Sequence, residues 1–558
     1  MPLSPSKYIL HASAIVVLAA LPGFADAQKI RPFADADARV APASRTIARP
    51  ATALNAARPI ASPLQRIVGG SFVQNGQYGF TAALLNNSYQ QGCGGTLIDP
   101  KWVVTAAHCI PAGYAAHVRV GSIDRTSGGQ VIRVVRRIMH PGWNGGPHDI
   151  GLLELETPVV GIAPAEIGSA TPAQNSTLRL LGWGQTTSPF GGDTGSQFLK
   201  QLDTTVLHPN DCSAGWGPGD LCLSATTTAT ACLGDSGGPA LLNGVLVGAT
   251  SRSGRSDVNY CGRNVVYTNV PYYHSWIYRY VPQNMAQRAE HGGAWYNPTT
   301  SGQGFVLDIA SQQNLVHAGW FTFPGTSSAT AVHRWFTAYG SYSAGQTSSR
   351  MTVYRNTGGN FDAPPATQGQ VVGSARLTFQ SCTSGRYDYE IDLDGILRRG
   401  SIPLSRLGSS QYCDTGSTPN FSLSRDGISP ALDGAWYDPN TGGQGFQFVF
   451  LPHNNNIAYL AWYTYDVNGQ NAGANGQRWY TVQGNYTPGS ATIISQPIYQ
   501  ITGGNFDAGP PASAMTQIGT ATLSFTSCST ANLTYNIPGR SSRTISLHRL
   551  TGGSNCQP

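Results

Sequence analysis

Residues 231–240 read ACLGDSGGPA, and the reading of this stretch decides the fold of the first half of the chain. Gly, Asp and Ser are the ordinary residues of turns, so Gly234-Asp235-Ser236-Gly237-Gly238 taken alone describes a tight surface turn. The second reading is a reactive serine with its oxyanion site attached. A serine hydroxyl is a poor nucleophile at neutral pH until a base takes its proton, and the base needs a carboxylate to hold its tautomer. The turn reading stands unless the rest of the chain supplies both.

Residues 101–109, KWVVTAAHC, lead an apolar, β-branched run into His108. A lone histidine in such a run is ordinarily structural. Here Cys109 adjoins it and Cys93 lies one short hairpin earlier, in GCGGTLI, so a disulfide would fix the backbone beside the ring. Further on, HDIGLLEL puts Asp149 at the start of a strand with a buried composition. An aspartate there could merely cap a turn, but with His108 and Ser236 it completes a nucleophilic set.

The N-terminus explains the charge. Lys7, the apolar stretch YILHASAIVVLAALPGF and Ala25-Asp26-Ala27 have the order of a secretory signal peptide spanning 1–27. Residues 28–66 are rich in Pro, Ala and Arg and lack the apolar periodicity of a core. They carry seven Lys/Arg against two Asp, which accounts for most of the formal +6; about +1 remains from Ile67 onward. That balance offers no electrostatic case for nucleic acid, and no later stretch is long and apolar enough to span a bilayer. The segment ends SPLQRIVGG and reads as a propeptide, released by cleavage after Arg66 to free Ile67.

Ten cysteines in an exported chain point to disulfides. They stand at Cys93, Cys109, Cys212, Cys222, Cys232, Cys261, Cys382, Cys413, Cys528 and Cys556, none in a Cys-x-x-Cys pair, and no metal or cofactor site is indicated.

RIVGG, TAAHC, DIGLLEL, LGWG and GDSGGP occur in one order over Ile67–Val281, and this region resembles the chymotrypsin-like (trypsin-like) serine proteases. The resemblance implies two six-stranded antiparallel β-barrels with the site between them. It assigns His108 as general base, Asp149 as the carboxylate that orients it and Ser236 as nucleophile, with the N–H groups of Gly234 and Ser236 as oxyanion donors. It implies that the Ile67 ammonium, freed at Arg66, pairs with Asp235, that Ser251 supports Asp149, and that Cys93–Cys109, Cys212–Cys222 and Cys232–Cys261 are bonded. The base of the primary pocket, an aspartate in trypsin-type enzymes, is here Thr230, so Lys or Arg substrates lose their buried partner. Arg252-Ser253 stand where the family has Trp-Gly, and ungapped counting puts Val265 in the pocket wall. The expected preference is small or medium apolar first, aromatic second and acidic third; arginines at 252, 255 and 263 keep the last in play.

After a polar linker at 282–292 the chain repeats itself. GAWYNPTTSGQGF at 293–305 returns as GAWYDPNTGGQGF at 434–446, TGGNFDAPP at 357–365 as TGGNFDAGPP at 502–511, and GSARLTFQSC at 373–382 as GTATLSFTSC at 519–528. Two tandem modules follow, 293–417 and 434–558. Their alternation and frequent Gly/Asn turns read as all-β, with one disulfide in each, Cys382–Cys413 and Cys528–Cys556. Trp295, Trp320 and Trp335 match Trp436, Trp462 and Trp479. They either fill two small β-cores or present rings to a polymeric or cell-surface ligand; the core reading is favoured. The modules resemble C-terminal modules of secreted bacterial hydrolases.

The whole reads as an all-β, extracellular bacterial endopeptidase made as a zymogen, with protein or peptide as substrate and a separate trypsin-like protease as activator. The competing class is an inactive protease-fold protein that binds or adheres through its repeats. Members that lose activity lose His or Ser, and this chain keeps both.

Overall fold

In a computed structural model the described residues run from 68 to 557, leaving out 188–194, 213–215, 255–260, 326–332, 409–411, 414–419, 453, 467–473, 509–513 and 552–555. The signal segment, the propeptide, Arg66 and Ile67 lie outside them. Half-buried alternating strands dominate, and the described residues divide into two units that meet at Pro282/Gln283.

In the first unit, six strands from Thr81–Leu85 to Gly151–Leu155 close into a barrel. Ala82, Leu84, Val103, Val118, Leu153 and their neighbours fill it. A second sheet holds seven strands rather than six. The added one is Ser71–Phe72, which pairs with Lys200–Thr205. The remaining six close through a single bridge, Val206 to Leu223. Leu181 and Leu241 of this sheet, and Trp183 just past its strand, share one core with Leu85, Trp102 and Leu152 of the first barrel. The C-terminal helix is one turn, His274–Ile277, preceded by a 3₁₀ turn at Val270–Tyr273.

In the second unit each repeat forms a closed eight-stranded barrel with strands in sequence order. The first runs from Gly293–Tyr296 to Ile396–Arg406 and the second from Gly434–Tyr437 to Arg543–Arg549. Eight strands leave an interior that side chains can fill. Trp295 and Trp320 fill the first, Trp436 and Trp462 the second. Trp335 and Trp479 lie in a third apolar cluster, built by both repeats. All six rings are at most 2% exposed.

That third cluster explains a broken pattern. A strand with one wet face alternates, as Ser348–Asn356 does. Leu315–Thr322 is buried at all eight positions. Val316, Ala318 and Trp320 point into the barrel, while Phe321 faces the other repeat.

Composition reads 282–292 as linker, but its later part belongs to the first repeat. Met285 N–H donates to Phe379 O, Gln287 N–H to Gln346 O, and the Trp295 indole N–H to His291 O. Trp436 donates to Leu432 O in the same way, so the second repeat also begins earlier than its sequence match, and Phe421–Ser422 pairs with Cys556–Gln557.

Candidate active site

His108 sits in a 3₁₀ turn, Ala107–Cys109, that leaves the buried strand Trp102–Thr105. The turn is pinned by the Cys93–Cys109 disulfide. Its backbone N–H donates to Asp149 Oδ1 at 2.9 Å, and its ring Nδ1 lies 2.7 Å from Asp149 Oδ2. An ionised carboxylate only accepts, so Nδ1 is the donor of this bond, and in a neutral ring Nε2 is then the nitrogen that accepts. Asp149 is 3% exposed and sits two residues before the strand Gly151–Leu155. Its Oδ2 also accepts from Ser251 Oγ at 2.8 Å. Three donors therefore fix one carboxylate, and through it the imidazole.

Ser236 lies three residues before the strand Pro239–Leu242 of the second sheet, and its backbone reaches the histidine's hairpin. Its carbonyl accepts from Gly94 N–H at 2.7 Å, and Gly94 follows the cysteine that is bonded to Cys109. Histidine and serine are thus tied to one hairpin. The Leu233 carbonyl accepts from Gln185 N–H at 2.7 Å. In a trans peptide the N–H points opposite to the carbonyl, so the Gly234 N–H is turned away from Gln185. Gly237 and Gly238 donate to Thr250 O and Asp235 O, whereas the N–H groups of Gly234 and Ser236 have no acceptor among the described residues. Gly234 holds φ +95°, a conformation that favours glycine, and a Cβ there would press Gly184 Cα at 3.2 Å. A developing oxyanion requires two such donors, here the N–H of the serine itself and that of Gly234 two residues before it.

Asp235, between them, is buried. Gly184 N–H donates to its Oδ1 at 2.7 Å and Cys232 N–H to its Oδ2 at 2.9 Å. Burial dominates these bonds and the charge of Lys200, and holds its pKa up at about 6. Lys200 is fully buried; its Nζ donates to the carbonyl of Gly70, three residues past Ile67.

Thr230 and Val265 are buried. Thr230 N–H donates to Val68 O, its hydroxyl to Ala231 O. Val265 pairs in the sheet with Ser253 and shares an apolar cluster with Ala231 and Tyr267. Arg255 lies outside the described residues.

Sequence reasoning offered Arg252 to an acid-preferring pocket; in the structure its guanidinium is engaged by other side chains. The register slips between Thr250 and Arg252, and this bulge puts Ser251 and Arg252 on one network. The guanidinium donates to Ser251 Oγ at 3.1 Å and to Asp220 Oδ2 at 2.5 Å. The Asp220 side chain is fully buried, and burial raises its pKa against the opposing pull of Arg252. Asp220 was missed; no motif marks it. His148 was missed as well. It holds φ +63°, stacks on His140 and shares a hydrogen bond with the Tyr273 hydroxyl at 2.9 Å, bracing the residue before Asp149.

The remaining disulfides are Cys212–Cys222, Cys232–Cys261, Cys382–Cys413 and Cys528–Cys556. Among the described residues two groups have metal-ligand proximity, Cys93/His108/Cys109 and His291/Cys382/Cys413. Their sulfurs are bonded to each other and are not thiolates, so neither group fits a metal.

A closed six-stranded barrel sharing a core with a second antiparallel sheet, an aspartate-bound histidine and a serine backbone tied to the same hairpin are the arrangement expected of a serine endopeptidase. The trypsin family model matches residues 67–277. Serine protease SP24D of Anopheles gambiae is 34% identical over 35% of this chain and 73% of its own length. Human kallikrein-14 is 32% identical (38% and 83%), and rat cationic trypsin-3 is 31% identical (41% and 94%). A solved structure of mouse-brain neuropsin aligns over 38% of this chain and 99% of its own at 30% identity, with a TM-score of 0.35. The chain belongs to the trypsin family and is a serine endopeptidase. Among the described residues no helix is long and apolar enough to cross a membrane.

Proposed function

We propose that Ser236 attacks the scissile carbonyl, that His108 Nε2 takes its proton and returns it to the leaving amine, and that Asp149 keeps the imidazole in the required tautomer. Gly234 and Ser236 N–H groups stabilise the tetrahedral oxyanion, and an acyl-enzyme follows. The observation that carries this reading is the three-donor clamp on Asp149, together with the Gly234 and Ser236 N–H groups that have no acceptor among the described residues. The test is labelling of Ser236 by a fluorophosphonate in activated protein. Labelling that persists in Ser236→Ala overturns the assignment.

The finer reading is a secreted zymogen, activated after Arg66, in which the Ile67 ammonium pairs with Asp235. Thr230 in place of an aspartate argues against Lys or Arg at the cleavage site, although relatives include trypsins and kallikreins. Val265 favours small or medium apolar residues. Acid preference loses its argument from Arg252, whose guanidinium is engaged with Asp220. The repeats serve substrate targeting, surface attachment or secretion. Stacking on a sugar polymer does not use their six matched tryptophans, which are core residues.

A further inference from the structure

The two repeats complete each other. Phe361, in the TGGNFD turn of the first repeat, belongs to the core of the second barrel. Its ring lies 4.9 Å from Trp462 and 5.8 Å from Tyr535. Phe506, in the same turn of the second repeat, belongs to the core of the first, 5.2 Å from Trp320 and 5.6 Å from Tyr389. The next residue of each turn accepts from the tyrosine it meets: Asp362 from Tyr535 at 3.0 Å, Asp507 from Tyr389 at 2.8 Å.

A glutamine in each barrel reads the incoming turn. Gln444 donates to Asn360 O and accepts from Asp362 N–H. Gln303 donates to Asn505 O and accepts from Asp507 N–H. Thr464 and Thr322 hold the two glutamines at 2.6 Å. Between the barrels, the Trp335 indole donates to Thr464 O and the Trp479 indole to Thr322 O. Each of these turn, glutamine and indole contacts has its counterpart with the repeats exchanged, as across an isologous interface.

We infer that each repeat carries a self-complementary docking face whose fitted partner is a second repeat of the same kind, here the one that follows it in the chain. Each barrel without its partner has an unfilled site beside Trp320 or Trp462, buried glutamine groups without partners, and an apolar strip in water. The association does not depend on the covalent link. Cys382–Cys413 and Cys528–Cys556 each stay within one repeat. A cut between the repeats therefore leaves them together, and the C-terminal region is kept or lost as one body even where other proteases can nick it.

The test uses the full chain carrying a specific protease site in place of residues 414–419. After cutting, the protein should elute from a sizing column as the uncut chain does, while reducing denaturing electrophoresis shows two pieces. Release of the C-terminal piece in native buffer overturns the proposal. A second measurement separates the plug from general stickiness. In uncut Phe506→Ser, amide exchange should quicken on the order of a hundredfold or more in Leu315–Thr322 and Ser384–Leu393, strands of the repeat that does not carry the substitution. Phe361→Ser should do the same to Ile457–Tyr465 and Thr530–Asn536. Quickening confined to the substituted repeat overturns the exchange of plugs.

Discussion

Ser251 Oγ donates to Asp149 Oδ2 at 2.8 Å and receives, at 3.1 Å, the guanidinium of its own neighbour Arg252. The network continues to Asp220 and ends on the Gly217 N–H, 3.0 Å from Asp220 Oδ2. The proposed catalytic carboxylate thus stands at the head of a chain of oriented polar groups rather than beside an apolar floor. Within such a chain each member holds the next in one orientation.

The first prediction tests that chain. Arg252→Met leaves Asp220 buried without its cation and should destabilise the protease unit by about 3 kcal/mol, measured by denaturant unfolding in a Ser236→Ala background. Asp220→Asn/Arg252→Met should recover most of the loss. Equal instability of single and double variants would show that the pair acts independently of charge.

Ser236→Ala, His108→Ala and Asp149→Asn should each lower kcat on the order of 10⁴-fold or more, with circular dichroism and melting temperature kept. Because the groups act as a unit, the double Ser236→Ala/His108→Ala should be little worse than either single change. Additive losses would contradict a shared mechanism.

Activation should leave a mark on the pH dependence of stability. With Ile67 still in peptide linkage, burial holds Asp235 at about 6, above its ordinary 3.8. A raised carboxyl pKa contributes stability that is present below the unfolded value and lost as pH rises through the folded one. The Ser236→Ala precursor should therefore weaken between pH 4 and about 6. After trypsin frees Ile67, the ammonium should pull the carboxyl down and remove that loss. Melting curves of cut and uncut Ser236→Ala across this window measure it, and identical profiles would dismiss the Ile67–Asp235 pair.

For the pocket, Thr230→Asp combined with Val265→Gly should raise kcat/KM for Arg or Lys substrates on the order of 10- to 100-fold and lower it for alanine and valine substrates. Profiling against a peptide library decides this. A wild type that already prefers arginine would overturn the pocket reading, and rapid cleavage of Ser236→Ala precursor after Arg66 by active wild type would do the same.

The two plugs should differ in acid response. Burial pushes Asp507 up to about 7, opposed among the described residues by the Tyr389 hydroxyl, whereas burial raises Asp362 against the opposing charge of Arg543 at 3.3 Å. By the same sign argument, the repeat pair gains stability from a protonated Asp507 at low pH and loses it as pH rises from about 4 through 7. Asp507→Asn should flatten that decline and make the region more stable than wild type at pH 8. Calorimetry of the two proteins at pH 5 and pH 8 is the check.

Much was legible in the chain because local chemistry needs contiguous residues. The serine, its glycines and Asp235 share one turn, His108 sits beside its disulfide, and Asp149 heads its strand, so short motifs in order reveal the class of enzyme. Duplication is legible by self-comparison alone. What sequence could not carry depends on register and on burial from two sides. Arg252 reads as a pocket residue until a one-residue bulge turns it onto Ser251 and Asp220. The seventh strand of the second sheet is two residues long and has no period to read. TGGNFD looks the same in both copies whether its phenylalanine fills its own barrel or its neighbour's. Only the tertiary structure decides that, because a side chain's energy depends on the cavity it fills and not on the repeat that encodes it.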